Sequence, residues 1–243
     1  QKEHVMSVKI SKVEAFPVKY QEPNDSMAWR YLTFVRITAS DGTVGWGEAI
    51  TQFPGSTKGT AAIVEDLADV IIGKDPLQNL GIWRDIRKQT WWYTYRGGLG
   101  HFALSAIDIA LWDLRGKITG QSLIEMIGKR DSQEVTEIPV LASTHVFNSN
   151  LDIEVERHAR YVKEGFIGFK IGMGKRGDAR IGYELERDVN FVRDLRQAAG
   201  PDAWIMMDRG QSLNWTFEDA VKRVCAWEEY GLKWVEEPFE PWE

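Results

Sequence analysis

Two short apolar runs near the carboxyl end of this chain each lead directly into an acidic residue. Residues 204–208 read W-I-M-M-D, and residues 232–236 read L-K-W-V-E. Each run is typical of a buried strand with an acid at its carboxyl tip, the edge at which parallel sheets and barrels carry their chemistry. Two carboxylates at neighbouring strand tips predict a divalent cation site, although a hard cation takes about six oxygen ligands.

The second half of the chain alternates between strand and helix patterns. We predict strands at 139–144, 166–171, 203–208 and 232–236, and helices at 152–164, 184–199 and 216–230. This alternation predicts parallel strands joined by crossover helices. Four such strands do not close an eight-stranded barrel. We therefore expect residues 131–243 to be the first part of a β/α barrel of the TIM type, completed by further sequence or by a partner chain.

The first half has a different order, with strands first and helices afterwards. Alternating segments at 8–20, 31–37 and 43–49 predict a three-stranded antiparallel sheet, with a tight hairpin at Asp41 and Gly42. Helical spacing follows at 60–72, 78–91 and 102–116, the last with a broad apolar face and a C-cap at Gly116 or Gly120. Polar loops are predicted at 21–26 and 51–59. Residues 1–130 therefore read as an α+β domain.

Composition excludes several classes of protein. The net charge is −6 and the isoelectric point is about 5.4, so general nucleic-acid binding is not expected. The sequence has no apolar run long enough for a membrane span, and its first residues lack the apolar core of a signal peptide. We expect a cytoplasmic protein. The lone Cys225 rules out a disulfide framework and is expected to be a buried apolar thiol, while His158, in a polar helix, is expected to be exposed.

Three candidate catalytic residues lie at the ends of three successive predicted strands: Lys170, Asp208 and Glu236. The period of a strand places Glu236 on one face and Glu237 on the other, so only one of these two glutamates should join Asp208. Two carboxylates and a lysine can form a proton-abstraction site, provided that a nearby cation and low-dielectric walls disfavour the ammonium form of the lysine.

Four motifs, in this order along the chain, resemble the enolase superfamily and its mandelate racemase/muconate lactonizing branch. They are G-W-G-E-A at 45–49, S-A-I-D-I-A-L-W-D-L-R-G-K at 105–117, M-D at 207–208 and W-V-E-E-P at 234–238. The resemblance implies a capping α+β domain over a modified TIM barrel. It also implies Mg²⁺ held by three strand-end carboxylates, with Asp208 first, Glu236 second and the third on the next strand. The segments 21–30 and 51–59 would then close over the substrate.

The chain departs from this branch at the second barrel strand, where Lys-x-Lys is usual and only Lys170 is present. Aligning K-I-G at 170–172 makes Lys170 the base and puts Gly168 at the first lysine position. Counting from Gly165 instead makes Lys170 an assisting residue and leaves Gly172 at the position of the base. We favour the first alignment, and the second requires a base from elsewhere.

Two further residues are candidates for substrate contact. Arg209 follows Asp208 and could meet a second acidic group of the substrate, although pairing with a neighbouring acid is an equal alternative. His145 closes the first barrel strand and lies near the expected pocket mouth. The His–Asp pair that serves this branch as the opposite acid/base is expected beyond residue 243.

The resemblance implies Mg²⁺-dependent abstraction of the proton α to a carboxylate, with stabilisation of the enediolate. The polar loops and Arg209 favour dehydration of a sugar acid, so the expected binding partner is a small carboxylate. A homo-oligomer is what the resemblance suggests for the assembly. A racemase, epimerase or cycloisomerase of the same superfamily is the alternative, and a catalytically incomplete fragment or a binding protein is the other class.

Overall fold

The computed structural model describes most of the chain, in seven segments. These segments are residues 8–23, 27–94, 97–130, 133–134, 137–174, 177–210 and 212–240. The chain divides into two compact units, Gln1–Thr136 and Glu137–Glu243. Within the described residues, none of the helices combines the length and the apolar character needed to cross a membrane.

The first unit begins with the predicted antiparallel sheet. Its strands are β1 (Ile10–Glu22), β2 (Ala28–Ala39) and β3 (Val44–Ile50), in that order. The hairpin between β2 and β3 is confirmed, since the Asp41 carboxylate accepts a hydrogen bond from the Thr43 amide at 2.9 Å and Gly42 takes a φ of +88°. The strands run further than predicted into the loop at 21–26, of which residues 24–26 lie outside the described residues.

Four helices and a small ladder follow the sheet within the described residues. They are α1 (Pro54–Ile71), α2 (Asn79–Gln89), α3 (Leu99–Thr119) and α4 (Leu123–Ile127), then β4 (Lys129–Arg130) paired with β5 (Gln133–Glu134). The predicted loop at 51–59 is wrong for most of its length, because α1 already begins at Pro54. Proline suits the first turn of a helix, where its missing N–H has no intrahelical partner.

The core of the first unit forms where β3 packs on α3. An added Cβ at Gly45 would lie 2.2 Å from the Ala110 carbonyl oxygen, and one at Gly47 would lie 1.9 Å from that of Ala106. Both distances are far below van der Waals contact, so the two glycines let the strand backbone touch the helix. The apolar face predicted for α3 is confirmed as buried, and the left-handed C-cap is at Gly120.

The second unit is built from parallel strands and crossover helices, as predicted. Its strands are β6 (Leu141–His145), β7 (Gly168–Gly172), β8 (Trp204–Asp208) and β9 (Trp234–Glu236), and its helices are α5 (Leu151–Lys163), α6 (Leu185–Ala199) and α7 (Phe217–Trp227). The sheet order is β6-β7-β8-β9, all parallel. On one face of the sheet, Phe169, Ile171, Ile205 and Met207 belong to a buried apolar cluster against which the helices pack, and Thr144 shares this face. The strand period puts Lys170, Asp208 and Glu236 on the other face.

Two predictions about single side chains in this unit are wrong. Cys225 is exposed, because α7 turns it away from the apolar cluster. His158 is buried to 0% exposure on the inner face of α5. Its Nδ1–H donates to the Glu154 carbonyl oxygen at 2.6 Å, and its Nε2 lies 2.6 Å from the Thr144 hydroxyl, which can donate to it. These two bonds suit a neutral imidazole.

Burial of His158 is expected to make the stability of the protein fall in mild acid. Burial is the main reason why the pKa of His158 drops from its ordinary 6.5 to about 4. The stabilisation is present above pH 6.5 and is lost as the pH falls towards 4, since only the unfolded chain binds the proton in that range. A shift of this size corresponds to about 3 kcal/mol in the free energy of unfolding.

Urea unfolding between pH 7 and pH 4 measures this loss, with His158→Asn as the control. Asparagine keeps a donor for the Glu154 carbonyl but does not titrate in this range, so the variant should lose less stability than the parent. An equal loss in both proteins would assign the pH dependence to other groups.

Candidate active site

Four residues lie level with one another where the strands of the second unit end. His145 on β6 pairs in register with Gly172 on β7, Gly172 pairs with Asp208 on β8, and Asp208 pairs with Glu236 on β9. Register partners in parallel strands project to the same face. The carboxyl edge of the sheet therefore presents one imidazole, one glycine and two carboxylates in a row.

Lys170 lies two residues earlier on β7 and reaches up to this row. Its ammonium is 3.0 Å from Asp208 Oδ2 and 2.9 Å from both Glu236 Oε1 and Oε2. The side chains of Lys170 and Asp208 are about one quarter exposed, and that of Glu236 is 37% exposed. The structure thus brings together the three candidate residues, and of the two neighbouring glutamates it is Glu236 that contacts Lys170.

The charges at this edge stabilise one another. Burial by itself lowers the pKa of Lys170, but hydrogen bonds to Glu236 and Asp208 raise it, and the net pKa lies above its usual value. The hydrogen bond from Lys170 is the main reason why the pKa of Glu236 is lowered. In this arrangement Lys170 is held as an ammonium. The lowered pKa that a base needs remains a prediction for the site with a divalent cation present.

The donor set at this edge fits a divalent cation. Asp208 and Glu236 already converge on one positive group at hydrogen-bond distance, and Mg²⁺ is commonly bound by one or two carboxylates with water as the remaining ligands. No group of three or more His, Cys, Asp and Glu side chains suited to a metal ion occurs in the described part of the chain. The third carboxylate implied by the resemblance stays a prediction.

His145 occupies the space beside Gly172. An added Cβ at Gly172 would lie 2.4 Å from His145 Nδ1 and 2.8 Å from its Cε1. The imidazole therefore lies where a side chain at position 172 would lie, the position of the base in the second alignment. The structure places His145 on the same edge as the carboxylates, and its contact with substrate stays a prediction.

Arg209 follows Asp208, but its side chain is only 1% exposed. The guanidinium donates to the Glu237 carbonyl oxygen at 2.8 Å, to that of Leu213 at 2.5 Å and to Glu240 Oε1 at 2.9 Å. Pairing with a neighbouring acid, the alternative for this residue, is what the structure contains. These contacts direct Arg209 towards the chain after β9, and they do not support the predicted substrate contact.

Two neighbours of the site were not singled out from the sequence. Trp234 Nε1 lies 3.4 Å from Glu236 Oε2, and Glu240 is the acid that meets Arg209. The strand period already put Trp234 on the same face as Glu236. A partner for Arg209 could have been sought among the acids that follow β9, but only the folded chain shows which of them it meets.

Two family models match the chain. The model described as "Mandelate racemase / muconate lactonizing enzyme, N-terminal domain" matches residues 6–128. The model described as "Enolase C-terminal domain-like" matches residues 154–243. Together they cover both units of the structure.

Curated relatives and a solved structure agree with the two family models. The chain is 32% identical over 214 residues to the D-galactarolactone cycloisomerase of Agrobacterium fabrum, covering 85% of this chain and 51% of the relative. It is 33% identical over 210 residues to the L-rhamnonate dehydratase of Saccharopolyspora erythraea, covering 85% and 47%. A mandelate racemase/muconate lactonizing protein from Paracoccus denitrificans, solved in complex with magnesium, is 32% identical with a TM-score of 0.74, covering 98% of this chain and 61% of that one. The chain spans about half the length of the curated relatives that it matches.

Proposed function

The chain belongs to the mandelate racemase/muconate lactonizing enzyme family of the enolase superfamily, and on that premise we propose that it abstracts the proton α to the carboxylate of a sugar acid and dehydrates that acid. The observation that carries the proposal is the convergence of Lys170, Asp208 and Glu236, with the ammonium within 3.0 Å of both carboxylates. The dehydratase and cycloisomerase relatives, which are named for sugar acids and their lactones, support this substrate class.

Asp208 and Glu236 are the residues that would hold Mg²⁺. A bound Mg²⁺ supplies Lewis-acid stabilisation of the negative charge that develops on a substrate carboxylate. Lys170 accepts the α-proton through Nζ, for which the ammonium that now donates to Asp208 and Glu236 must first lose a proton to solvent. The β-hydroxyl then leaves as water by taking up one proton, which balances the α-proton lost to Lys170, and the resulting enol tautomerises to a 2-keto acid.

Cycloisomerisation or racemisation is the second candidate, because it begins with the same proton abstraction. The 32% identity to a D-galactarolactone cycloisomerase favours keeping it. His145 is the second candidate for the base, since its ring fills the side-chain space at Gly172. The reactions diverge only after the proton has been lost, so product analysis separates them.

The experiment incubates the protein with Mg²⁺ and a panel of sugar acids and lactones, including L-rhamnonate, D-galactonate and D-galactarolactone, in deuterated water. A 2-keto acid, detected with semicarbazide, is the expected product. Deuterium at the α-carbon or an isomerised product without keto acid would favour the second candidate. A panel with neither exchange nor product would overturn the proposal.

The proposal extends to a homo-oligomer in the cytoplasm. The oligomer is what the family resemblance implies, and the acidic net charge of −6 is compatible with a dissolved enzyme. Analytical ultracentrifugation of the protein tests the assembly directly.

A further inference from the structure

Arg209 is a buried cation placed beside one end of the active-site row, and all of its donors are used. A guanidinium has five N–H groups. Nε donates to the Glu237 carbonyl, Nη1 to the Leu213 carbonyl and Glu240 Oε1, and Nη2 to Glu240 Oε1 and, at 3.5 Å, to the Phe239 carbonyl. A side chain so engaged and only 1% exposed has no donor left for a substrate.

These contacts hold the chain immediately after Glu236. The Arg209 amide donates to the Glu236 carbonyl oxygen at 3.1 Å, which extends the pairing of β8 and β9 by one step. Glu237 then takes a φ of +47°. Such a backbone costs a non-glycine residue about 1 kcal/mol or more and persists only where its surroundings hold it. The hydrogen bond from Arg209 Nε to the Glu237 carbonyl oxygen is one contact on this residue that can stabilise the conformation.

The contacts also join the two carboxylate positions to each other. Arg209 directly follows Asp208 in the chain, and its hydrogen bonds to Glu237 and Glu240 hold the segment that begins next to Glu236. The guanidinium of Arg209 thus links the backbone next to Asp208 to the backbone next to Glu236. Because a metal site tolerates only small changes in ligand position, the outer groups that orient its ligands strongly affect affinity.

We propose that Arg209, with Glu240 as its counter-charge, is a positioning residue that sets the spacing of Asp208 and Glu236 for a divalent cation. The inference rests on the proposed function, since it deepens the metal site assigned there. In this proposal Arg209 acts by positioning Asp208 and Glu236, and it does not contact the substrate.

The chain contains a matched control at the opposite edge of the same sheet. Arg196 donates to the carbonyl oxygens of Tyr230 at 2.8 Å, Ala203 at 2.7 Å and Gly231 at 3.1 Å. It therefore ties the amino ends of β8 and β9 as Arg209 ties their carboxyl ends. Replacing Arg196 removes a comparable set of backbone contacts without touching the chain beside either carboxylate.

The test is calorimetric titration of Mg²⁺ into the parent, Arg209→Lys and Arg196→Lys, each checked for folding by circular dichroism and thermal unfolding. Lysine keeps the charge but loses the planar fork, so Arg209→Lys should bind Mg²⁺ about tenfold or more weakly, as for other groups that support metal ligands. Arg196→Lys should lower the unfolding temperature yet bind Mg²⁺ like the parent. Equal affinities in all three proteins, or equal losses in both variants, would overturn the positioning role.

Glu240→Gln decides the question if Arg209→Lys does not fold. It keeps the guanidinium and its backbone acceptors but removes the counter-charge, and a several-fold loss of Mg²⁺ affinity is expected. An unchanged Mg²⁺ affinity in Glu240→Gln would then contradict the positioning role of Arg209. A parent that binds no Mg²⁺ would remove the proposed metal site and this inference with it, whereas a binding parent with unaffected variants overturns the inference alone.

Discussion

Replacing Lys170 with alanine is expected to slow exchange of the substrate α-proton strongly while Mg²⁺ binding is retained. Nζ of Lys170 is the only described ammonium in contact with both Asp208 and Glu236. A positioned general base contributes about 10²- to 10⁴-fold to rate, so a loss in that range is expected. Mg²⁺ affinity should not fall, because the ammonium competes with a cation for the same oxygens. Deuterium exchange by NMR and calorimetric titration of Mg²⁺ measure the two effects.

Lys233→Ala is the matched control for this experiment. The Lys233 ammonium lies 4.7 Å from the centre of the Trp204 ring, near the amino ends of the strands and away from the carboxylate row. The Lys233→Ala variant should leave the rate of α-proton exchange unchanged.

His145→Asn tests the second candidate base. If exchange survives in Lys170→Ala but is lost in His145→Asn, Lys170 only assists and the imidazole beside Gly172 removes the proton.

Replacing Arg223 with methionine is expected to lower the free energy of unfolding by about 3–5 kcal/mol, the range for breaking a buried ion pair by removing one partner. Arg223 Nε donates to Asp188 Oδ2 at 2.8 Å, and both side chains are at most 5% exposed. Burial already raises the pKa of Asp188 despite hydrogen bonds from Gly182 and Arg223. Without the guanidinium, this carboxylate would be left buried and poorly compensated. Urea unfolding at pH 7 measures the loss.

The neighbouring Lys222→Met provides the control. Its ion pair with Glu218 is exposed, at 55% and 76%, and exposed pairs contribute about 1 kcal/mol or less. Adding Asp188→Asn to Arg223→Met should restore part of the lost stability, because the buried charge is then gone. If the double variant recovers no stability, or if Arg223→Met and Lys222→Met lose equal stability, the buried charge of Asp188 is not the cause of the loss.

The arrangement of strands and helices could be predicted because each depends on a local period. The apolar runs before Asp208 and Glu236 identified β8 and β9, and the strand period predicted that only one of Glu236 and Glu237 would share a face with Asp208. The start of α1 was predicted less well. Spacing of apolar residues placed α1 at residue 60, whereas the helix begins at Pro54, because its first turn carries few apolar residues.

Single side chains were predicted poorly where their surroundings come from distant parts of the chain. His158 was expected to be exposed because its helix is polar, yet the Thr144 hydroxyl and the Phe169 ring enclose it. Cys225 was expected to be buried because thiols usually are, yet α7 turns it outward. For Arg209, substrate contact and pairing with a neighbouring acid were equal alternatives, and the acid that it meets, Glu240, lies 31 residues further along.

The sequence by itself determined the family, the order of the elements and the three residues at the strand ends, since a strand has a fixed period and a parallel sheet brings its carboxyl ends to one edge. The tertiary structure decided what those residues meet. Lys170 bridges both carboxylates, His145 fills the space at Gly172, and Arg209 binds the segment after β9. All three arrangements depend on contacts between separate parts of the chain. Such contacts follow from packing in three dimensions, which no local pattern encodes.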